Sequence, residues 1–278
     1  MTSKHRGSVY LAAGSFLDVS ADELVGISLG LDVNRCSGIG LRLSGEHAIT
    51  DSGHARELRS RLTDSGQRVF DAEVIRVSAD RSSDSSTDLL SRNSSSTTSL
   101  IAQAAEVGAA YVLAVSDLDD LTTSIRAFSS LADVARGHGL RVAVEYMAWT
   151  TPCDVDGALR VHAETGCRIV VDLLHHTRIG ASVADLERLV RADAVAWVQI
   201  CDAPATLEAS SLLAEARHDR LAPGEGALPL RDYLALIPPH VDISIEVQSD
   251  RLLAVDPRER ARRLVDATRA LLGRVDRV

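Results

Sequence analysis

Short apolar, β-branched runs alternate along the chain with amphipathic stretches of ten or more residues. Eight runs stand out: 8–13 (SVYLAA), 38–44 (GIGLRLS), 68–77 (RVFDAEVIRV), 110–116 (AYVLAVS), 140–147 (LRVAVEYM), 168–174 (RIVVDLL), 195–202 (VAWVQICD) and 242–248 (DISIEVQ). Their starts are 30, 30, 42, 30, 28, 27 and 47 residues apart. A βα unit of an eight-fold barrel takes about 31 residues, roughly 250 divided by eight. The stretches between the runs carry helix signals. Ser20-Ala-Asp-Glu23 and Ser182-Val-Ala-Asp185 have capping-box spacing. Pro257 suits a first helical turn, and Leu264, Val265, Ala267 and Leu271 recur at helical spacing after it. Gly137, Gly139 and Gly166 stand where helices should end. Strands alternating with helices mean a mostly parallel sheet. Eight units of nearly even length predict one closed (β/α)8 TIM barrel spanning 1–278.

Two steps are long. The first contains a Ser-rich stretch, about 78–98, read as an insertion between the third strand and its helix. It is either a disordered insert or a mobile lid, since that loop lies on the active face of a barrel. The second excess, 203–227, carries Arg220-Leu-Ala-Pro-Gly-Glu-Gly226 and reads as an ordered loop.

Composition narrows the function class. The 278 residues are 45% apolar and 25% charged, with a formal net charge of −9. That balance disfavours a duplex-binding protein, which needs clustered Lys and Arg. Two Trp, four Tyr and three Phe are too few for a base-stacking surface. No 18-residue apolar run exists to span a membrane. Met1 to Gly7 is not followed by a cleavable apolar core, and Cys36, Cys153, Cys167 and Cys201 show neither CxxC nor zinc spacing. A cytoplasmic protein with free thiols is expected, taking a small-molecule substrate and compatible with a homo-oligomer. Neither a GxGxxG fingerprint nor a Walker A loop occurs.

In such barrels chemistry sits at the C-terminal strand ends. Four consecutive predicted strands each deliver one oxygen-bearing side chain there: Glu145, Asp172, Gln199 and Glu246. The steps 145 to 172 and 172 to 199 are both 27 residues, which places them equivalently in the βα unit. A single carboxylate deep in an apolar strand is most often a structural ion pair, but four such groups in succession are hard to explain that way. Three carboxylates and an amide make a hard oxygen site suited to Mn²⁺ or Mg²⁺, with Co²⁺ as an alternative. His175, His176 and Arg178 follow the sixth strand, and Arg220 and Glu225 lie on the ordered loop. The latter two are a loop-internal ion pair or substrate contacts.

The segments Val142-Ala-Val-Glu-Tyr-Met147, Val171-Asp-Leu-Leu-His-His-Thr-Arg-Ile-Gly180, Val198-Gln-Ile-Cys-Asp-Ala-Pro204, Arg220-Leu-Ala-Pro-Gly-Glu-Gly226 and Ile243-Ser-Ile-Glu246 give the chain its resemblance to the xylose isomerase-like barrel superfamily of sugar phosphate isomerases and epimerases. The resemblance implies a divalent metal held by Glu145, Asp172, Gln199 and Glu246. Many epimerases of the superfamily have His at the seventh strand. Gln199 is instead similar to hydroxypyruvate isomerases, and to 3-dehydroshikimate dehydratases of the same fold. Apurinic endonucleases need extra His ligands, and only His47 and His54 follow the second strand.

The expected activity is isomerisation or epimerisation of a small hydroxy-ketone, sugar or sugar acid through a metal-stabilised enediolate. Glu145 and Glu246 would exchange the proton at carbon, and His175 would hold a substrate oxygen or relay a proton. Arg178 or Arg220 would bind a carboxylate or phosphate, with Glu225 as a further substrate contact. A dehydratase of the dehydroshikimate or inosose type is the alternative, with His175 as the acid. A barrel kept only as a binding module is the third reading.

Overall fold

The computed structural model describes residues 7–78, 94–208 and 210–275. Eight strands close into a barrel in chain order: β1 (Val9–Leu11), β2 (Gly38–Arg42), β3 (Arg68–Val77), β4 (Tyr111–Ser116), β5 (Arg141–Glu145), β6 (Arg168–Asp172), β7 (Val195–Ile200) and β8 (Asp242–Ile245). Every neighbouring pair is parallel, and β1 pairs with both β2 and β8. The predicted barrel is therefore the fold, and all eight predicted runs are strands.

The helices form where their caps predict. Ser20 Oγ accepts from Glu23 N–H at 3.3 Å and Glu23 Oε2 accepts from Ser20 N–H at 2.9 Å. Ser182 and Asp185 form the same reciprocal pair. Pro257 opens the last helix, whose buried face includes Leu264, Val265 and Leu271. Gly166 ends the helix Val155–Thr165 at φ 72°, a left-handed conformation that a side chain resists. Most of the Ser-rich stretch lies outside the described residues; the helix Ser94–Glu106 begins within its end. No helix among the described residues is long and apolar enough to cross a membrane.

Six strands stop earlier than their apolar runs. β1 ends at Leu11 rather than 13, β2 at Arg42 rather than 44, β5 at Glu145 rather than 147, β6 at Asp172 rather than 174, β7 at Ile200 rather than 202 and β8 at Ile245 rather than 248. Several of the extra residues are buried without being in the sheet: Leu173, Leu174, Cys201 and Val247 are each at most 1% exposed. Leu173 and Leu174 open the helix Leu173–Arg178, and Cys201 and Val247 follow β7 and β8, so hydrophobicity outlasts the ladder there.

Two apolar layers result. One lies between strands and helices. The other fills the barrel, where Tyr10 stacks on Phe70 at 4.2 Å and Phe70 meets Trp197 edge-on at 5.1 Å. Such contacts contribute about 0.5–1.5 kcal/mol each beyond area burial. These rings come from the early part of their strands and floor the barrel. Leu113, Val115 and Met147, further along, line the cavity above.

Candidate active site

Strand register brings the predicted strand-end residues together. Glu145 pairs with Val170, two residues before Asp172, while Asp172 pairs with Gln199 and Gln199 with Ser244, two before Glu246. Residues two apart share a face of the pleat, so all four point inward at neighbouring levels. Glu145, Asp172, Gln199 and Glu246 are 7%, 1%, 1% and 8% exposed. Above them opens a cavity of about 420 Å³, with Glu145, His175, Arg220 and Glu246 on its lining.

Asp172 organises the centre. Its Oδ1 accepts from Leu174 N–H at 2.7 Å and His175 N–H at 3.2 Å, which starts the short helix Leu173–Arg178 directly off β6. Its Oδ2 accepts from Arg220 Nη1 at 2.6 Å. Arg220 is itself buried. Its Nε donates to Ala216 O at 2.7 Å, its Nη1 also to Glu246 O at 3.2 Å, and Nη1 stands 3.8 Å from Glu246 Oε2. Its Nη2 lies 3.4 Å from His175 Nε2. That nitrogen is also 3.7 Å from Glu145 Oε1 and 3.8 Å from Asp172 Oδ2. The half-buried Trp149 meets the His175 ring edge-on at 5.1 Å.

The electrostatics follow from this burial. Burial pushes the Glu145 carboxyl well above the ordinary range, and Glu246 and Asp172 repel its charge further. Glu246 is also raised by burial, against the pull of Arg220. Burial also pushes Asp172 up, yet the charge and hydrogen bond of Arg220, together with His175 and its backbone N–H, hold its carboxyl below the usual value. His175 is lowered to about 4, chiefly by burial and with help from Arg220 against Asp172, so its ring is neutral.

These residues fit a divalent cation on three counts. Three carboxylates against one guanidinium leave two negative charges if all ionise. Gln199 Oε1 is buried with no hydrogen-bond partner among the described residues, a cost of about 1–3 kcal/mol that a cation would relieve. And Glu145, Asp172 and His175 each offer a ligand atom, all within 4.8 Å of one another. The sequence reading placed His175 beside the shell; the structure brings it into the tightest group of donors.

Other predicted residues lie elsewhere. Arg178 is bound by the buried Glu215 through Nε and Nη2, both at 2.6 Å, and its Nη2 donates to Pro204 O at 2.8 Å. It ties the helix Leu212–His218 to the loop after β7 and is not on the cavity lining. Glu225 is exposed, also off the lining, and Arg220 pairs with Asp172 rather than with it. His176 is locked between Tyr146 Oη, at 2.7 Å, and Ser182 O, at 3.0 Å. His54 pairs with Asp22 on the helix surface.

The structure also adds two carboxyls from β3. Glu73 lines the cavity and Asp71 lies buried close by. Burial, then Glu246, pushes Asp71 up to about 7. Burial, then Asp71 and Glu246, drives Glu73 well above its ordinary value. Asp71 Oδ1 packs so closely on Gly40 that a Cβ there would stand 2.6 Å from it. The signal was visible in RVFDAEVIRV, where two acids interrupt an apolar run.

Comparison with family models matches residues 38–271 to the xylose isomerase-like TIM barrel. Comparison with curated protein sequences gives no match. Among solved structures, the IOLI protein with a bound zinc atom superposes with a TM-score of 0.77 at 13% identity, over 98% of this chain and 100% of that one. D-psicose 3-epimerase from Clostridium cellulolyticum H10, solved with D-tagatose, gives 0.72 at 11% identity over 96% and 98%. A xylose isomerase-like TIM barrel/4-hydroxyphenylpyruvate dioxygenase fusion protein gives 0.74 at 20% identity over 96% of this chain. The present chain spans 42% of the length of that fusion.

Proposed function

Because the chain belongs to the xylose isomerase-like TIM barrel family, we propose that it is a divalent-metal-dependent isomerase or epimerase of a small hydroxy-ketone or hydroxy-aldehyde of the sugar class. The observation that carries this reading is the buried donor set: Glu145, Asp172 and Glu246 with surplus negative charge, and Gln199 with an orphaned amide oxygen. The zinc atom in the IOLI protein and the sugar in D-psicose 3-epimerase support it by likeness of fold. Glu145, Asp172, Gln199 and Glu246 would hold the ion, with His175 adjacent. An imidazole there moves the preference from Mg²⁺ toward Mn²⁺ or Co²⁺. When bound, such an ion supplies Lewis-acid polarisation of a carbonyl.

The protein's own groups do the rest. Glu145 and Glu246 come from strands three apart around the barrel and both line the cavity. One takes a proton from the carbon beside the carbonyl and the other returns one. Neutral His175 accepts or passes a hydroxyl proton through Nε2. Arg220 orients a substrate oxygen while holding Asp172 ionised. Trp149 and Met147 shield the reacting carbon from water.

A dehydratase reading rests on Glu73. It lines the same cavity, and burial holds its carboxyl well above the ordinary value, which suits an acid that would protonate a departing hydroxyl. The deciding experiment loads the purified protein with Mn²⁺ and presents keto-sugars, hydroxypyruvate and dehydroshikimate in D₂O. Isomerisation incorporates solvent deuterium at carbon without new absorbance. Dehydration produces a conjugated, ultraviolet-absorbing product. Stoichiometric metal with neither outcome across the panel would leave a binding module.

A further inference from the structure

Resting on the metal-site reading above, the charges on the cavity lining narrow the substrate class. The chain as a whole carries a net charge of −9. The cavity has a different balance. Four arginines line it, Arg42, Arg76, Arg217 and Arg220, against three glutamates, Glu73, Glu145 and Glu246. Glu145 and Glu246 belong to the donor set, so a divalent cation there leaves the lining with surplus positive charge. Two of the arginines are already committed, Arg220 to Asp172 and Arg76 to Asp117.

Arg42 and Arg217 are not. Arg42, at the end of β2, is half-buried, and its Nε donates only to Ser44 O at a long 3.4 Å. No carboxylate oxygen among the described residues lies within the 4.0 Å of an ion pair from it. Glu73 and Glu246 are near enough to feel its charge, yet they do not pair with it. Arg217, on the helix Leu212–His218, is exposed and has no ion-pair or hydrogen-bond partner among the described residues. One guanidinium is thus offered from the β2 end and another from the segment after β7, on one cavity of about 420 Å³. That volume is within the range of small-molecule sites. A guanidinium fork matches a carboxylate or a phosphate in a way that a sugar hydroxyl does not. A positive cleft on an acidic protein also concentrates anions where they are needed.

We propose that the substrate carries an anionic group, a carboxylate or a phosphate, which Arg42 and Arg217 receive while its carbonyl end lies at the Glu145, Asp172 and His175 donors. The competing account is that Arg42 only balances Glu73 and Glu246, in which case neutral and anionic ligands bind alike.

The test uses the full chain loaded with Mn²⁺. Trp149 lines the cavity and Trp197 is sealed inside the barrel, so tryptophan fluorescence reports on ligand entry. Three ligands are titrated: a ketohexose, the same ketohexose with a terminal phosphate, and a keto-acid of the same chain length. At least one anionic ligand should bind about 10-fold or more tighter than the neutral sugar, and which one does so distinguishes phosphate from carboxylate. Arg42→Gln and Arg217→Gln should each weaken that ligand by about 10–100-fold, the worth of a charged hydrogen bond. Both should leave the neutral sugar and Mn²⁺ within about twofold, which also shows that they fold. Equal affinities for all three ligands in the wild type overturn the proposal. So does equal weakening of neutral and anionic ligands in the variants. If Mn²⁺ does not bind, the metal reading fails separately. The anion claim is then decided by inorganic phosphate, which should perturb Trp149 in the wild type and not in the double variant; no response in the wild type overturns it.

Discussion

Replacing Gln199 by Leu distinguishes a metal ligand from a packing residue, because the two roles change metal-free stability in opposite directions. Gln199 is 1% exposed and its Oε1 has no hydrogen-bond partner among the described residues. A buried acceptor left unpaired costs about 1–3 kcal/mol. Leu is close to Gln in volume and brings no polar atom, so the metal-free variant should be more stable than the wild type by about 1–2 kcal/mol. The metal-bound comparison should run the other way. Loss of one donor should weaken Mn²⁺ binding by at least about 10-fold, since even indirect partners of metal ligands cost 10–100-fold when removed. At a free Mn²⁺ concentration about 100 times the wild-type Kd, the ion stabilises the wild type by about 2.7 kcal/mol, and a 10-fold weaker site by only about 1.4 kcal/mol. Urea unfolding in EDTA and in Mn²⁺, with calorimetric titration of the ion, measures all of these quantities. Loss of stability in EDTA together with unchanged Mn²⁺ affinity would refute the reasoning, and Gln199 would then be a packing residue.

Three further outcomes are expected. Asp172→Ala should abolish stoichiometric Mn²⁺ in metal analysis. It should also lower metal-free stability by about 3–5 kcal/mol, because the buried Arg220 loses its hydrogen-bonded carboxylate and keeps only that of Glu246, 3.8 Å away; metal retained at one per chain contradicts the donor assignment. Glu145→Gln and Glu246→Gln should each keep some metal yet lose about 10²–10⁴-fold in turnover and in deuterium incorporation, the usual worth of general acid–base catalysis. The metal-free protein should lose stability as pH rises. Asp71 has a folded-state value of about 7, above that of an unfolded carboxyl. The stabilisation it confers is therefore complete below pH ~4 and is lost as pH climbs through about 7, for a total of at most about 4 kcal/mol. Asp71→Asn should flatten that slope between pH 5 and 8.5 in EDTA, and parallel slopes for variant and wild type would show that Asp71 ionises freely.

The barrel was legible because its two periods are strong and local. An apolar run followed by a capped amphipathic stretch, repeated eight times, leaves few architectures open, and the closed parallel sheet is the one found. The strand-end donors were legible for a related reason: a carboxylate closing a buried run, as in Val-Ala-Val-Glu145 or Ile-Val-Val-Asp172, violates the pattern around it. Glu73 and Asp71 violate it equally, but they stand inside a ten-residue run rather than at its end, so a search of strand ends passes over them. A register irregularity between Ala72 and Ile75 breaks simple alternation there, and it cannot be foreseen from spacing.

The arginines show why partners were harder to read than positions. Arg178 and Arg220 are both basic residues beyond strand ends, and spacing ranks neither above the other. What separates them is a pair of long-range choices: Arg178 takes Glu215, 37 residues on, and Arg220 takes Asp172, 48 residues back. His175 had a local signal that the strand boundary hid. A strand running to 174 alternates its side chains, which puts residue 175 on the face opposite Asp172. Asp172 caps a helix instead, and three residues along a helix return to the same face. The imidazole thereby arrives 3.8 Å from Asp172 Oδ2. The carboxylate that makes the site attractive to a cation is thus also the group that ends β6 and delivers the neighbouring donor. Ending the strand at the first buried carboxylate, rather than at the last apolar residue, predicts both features from the sequence.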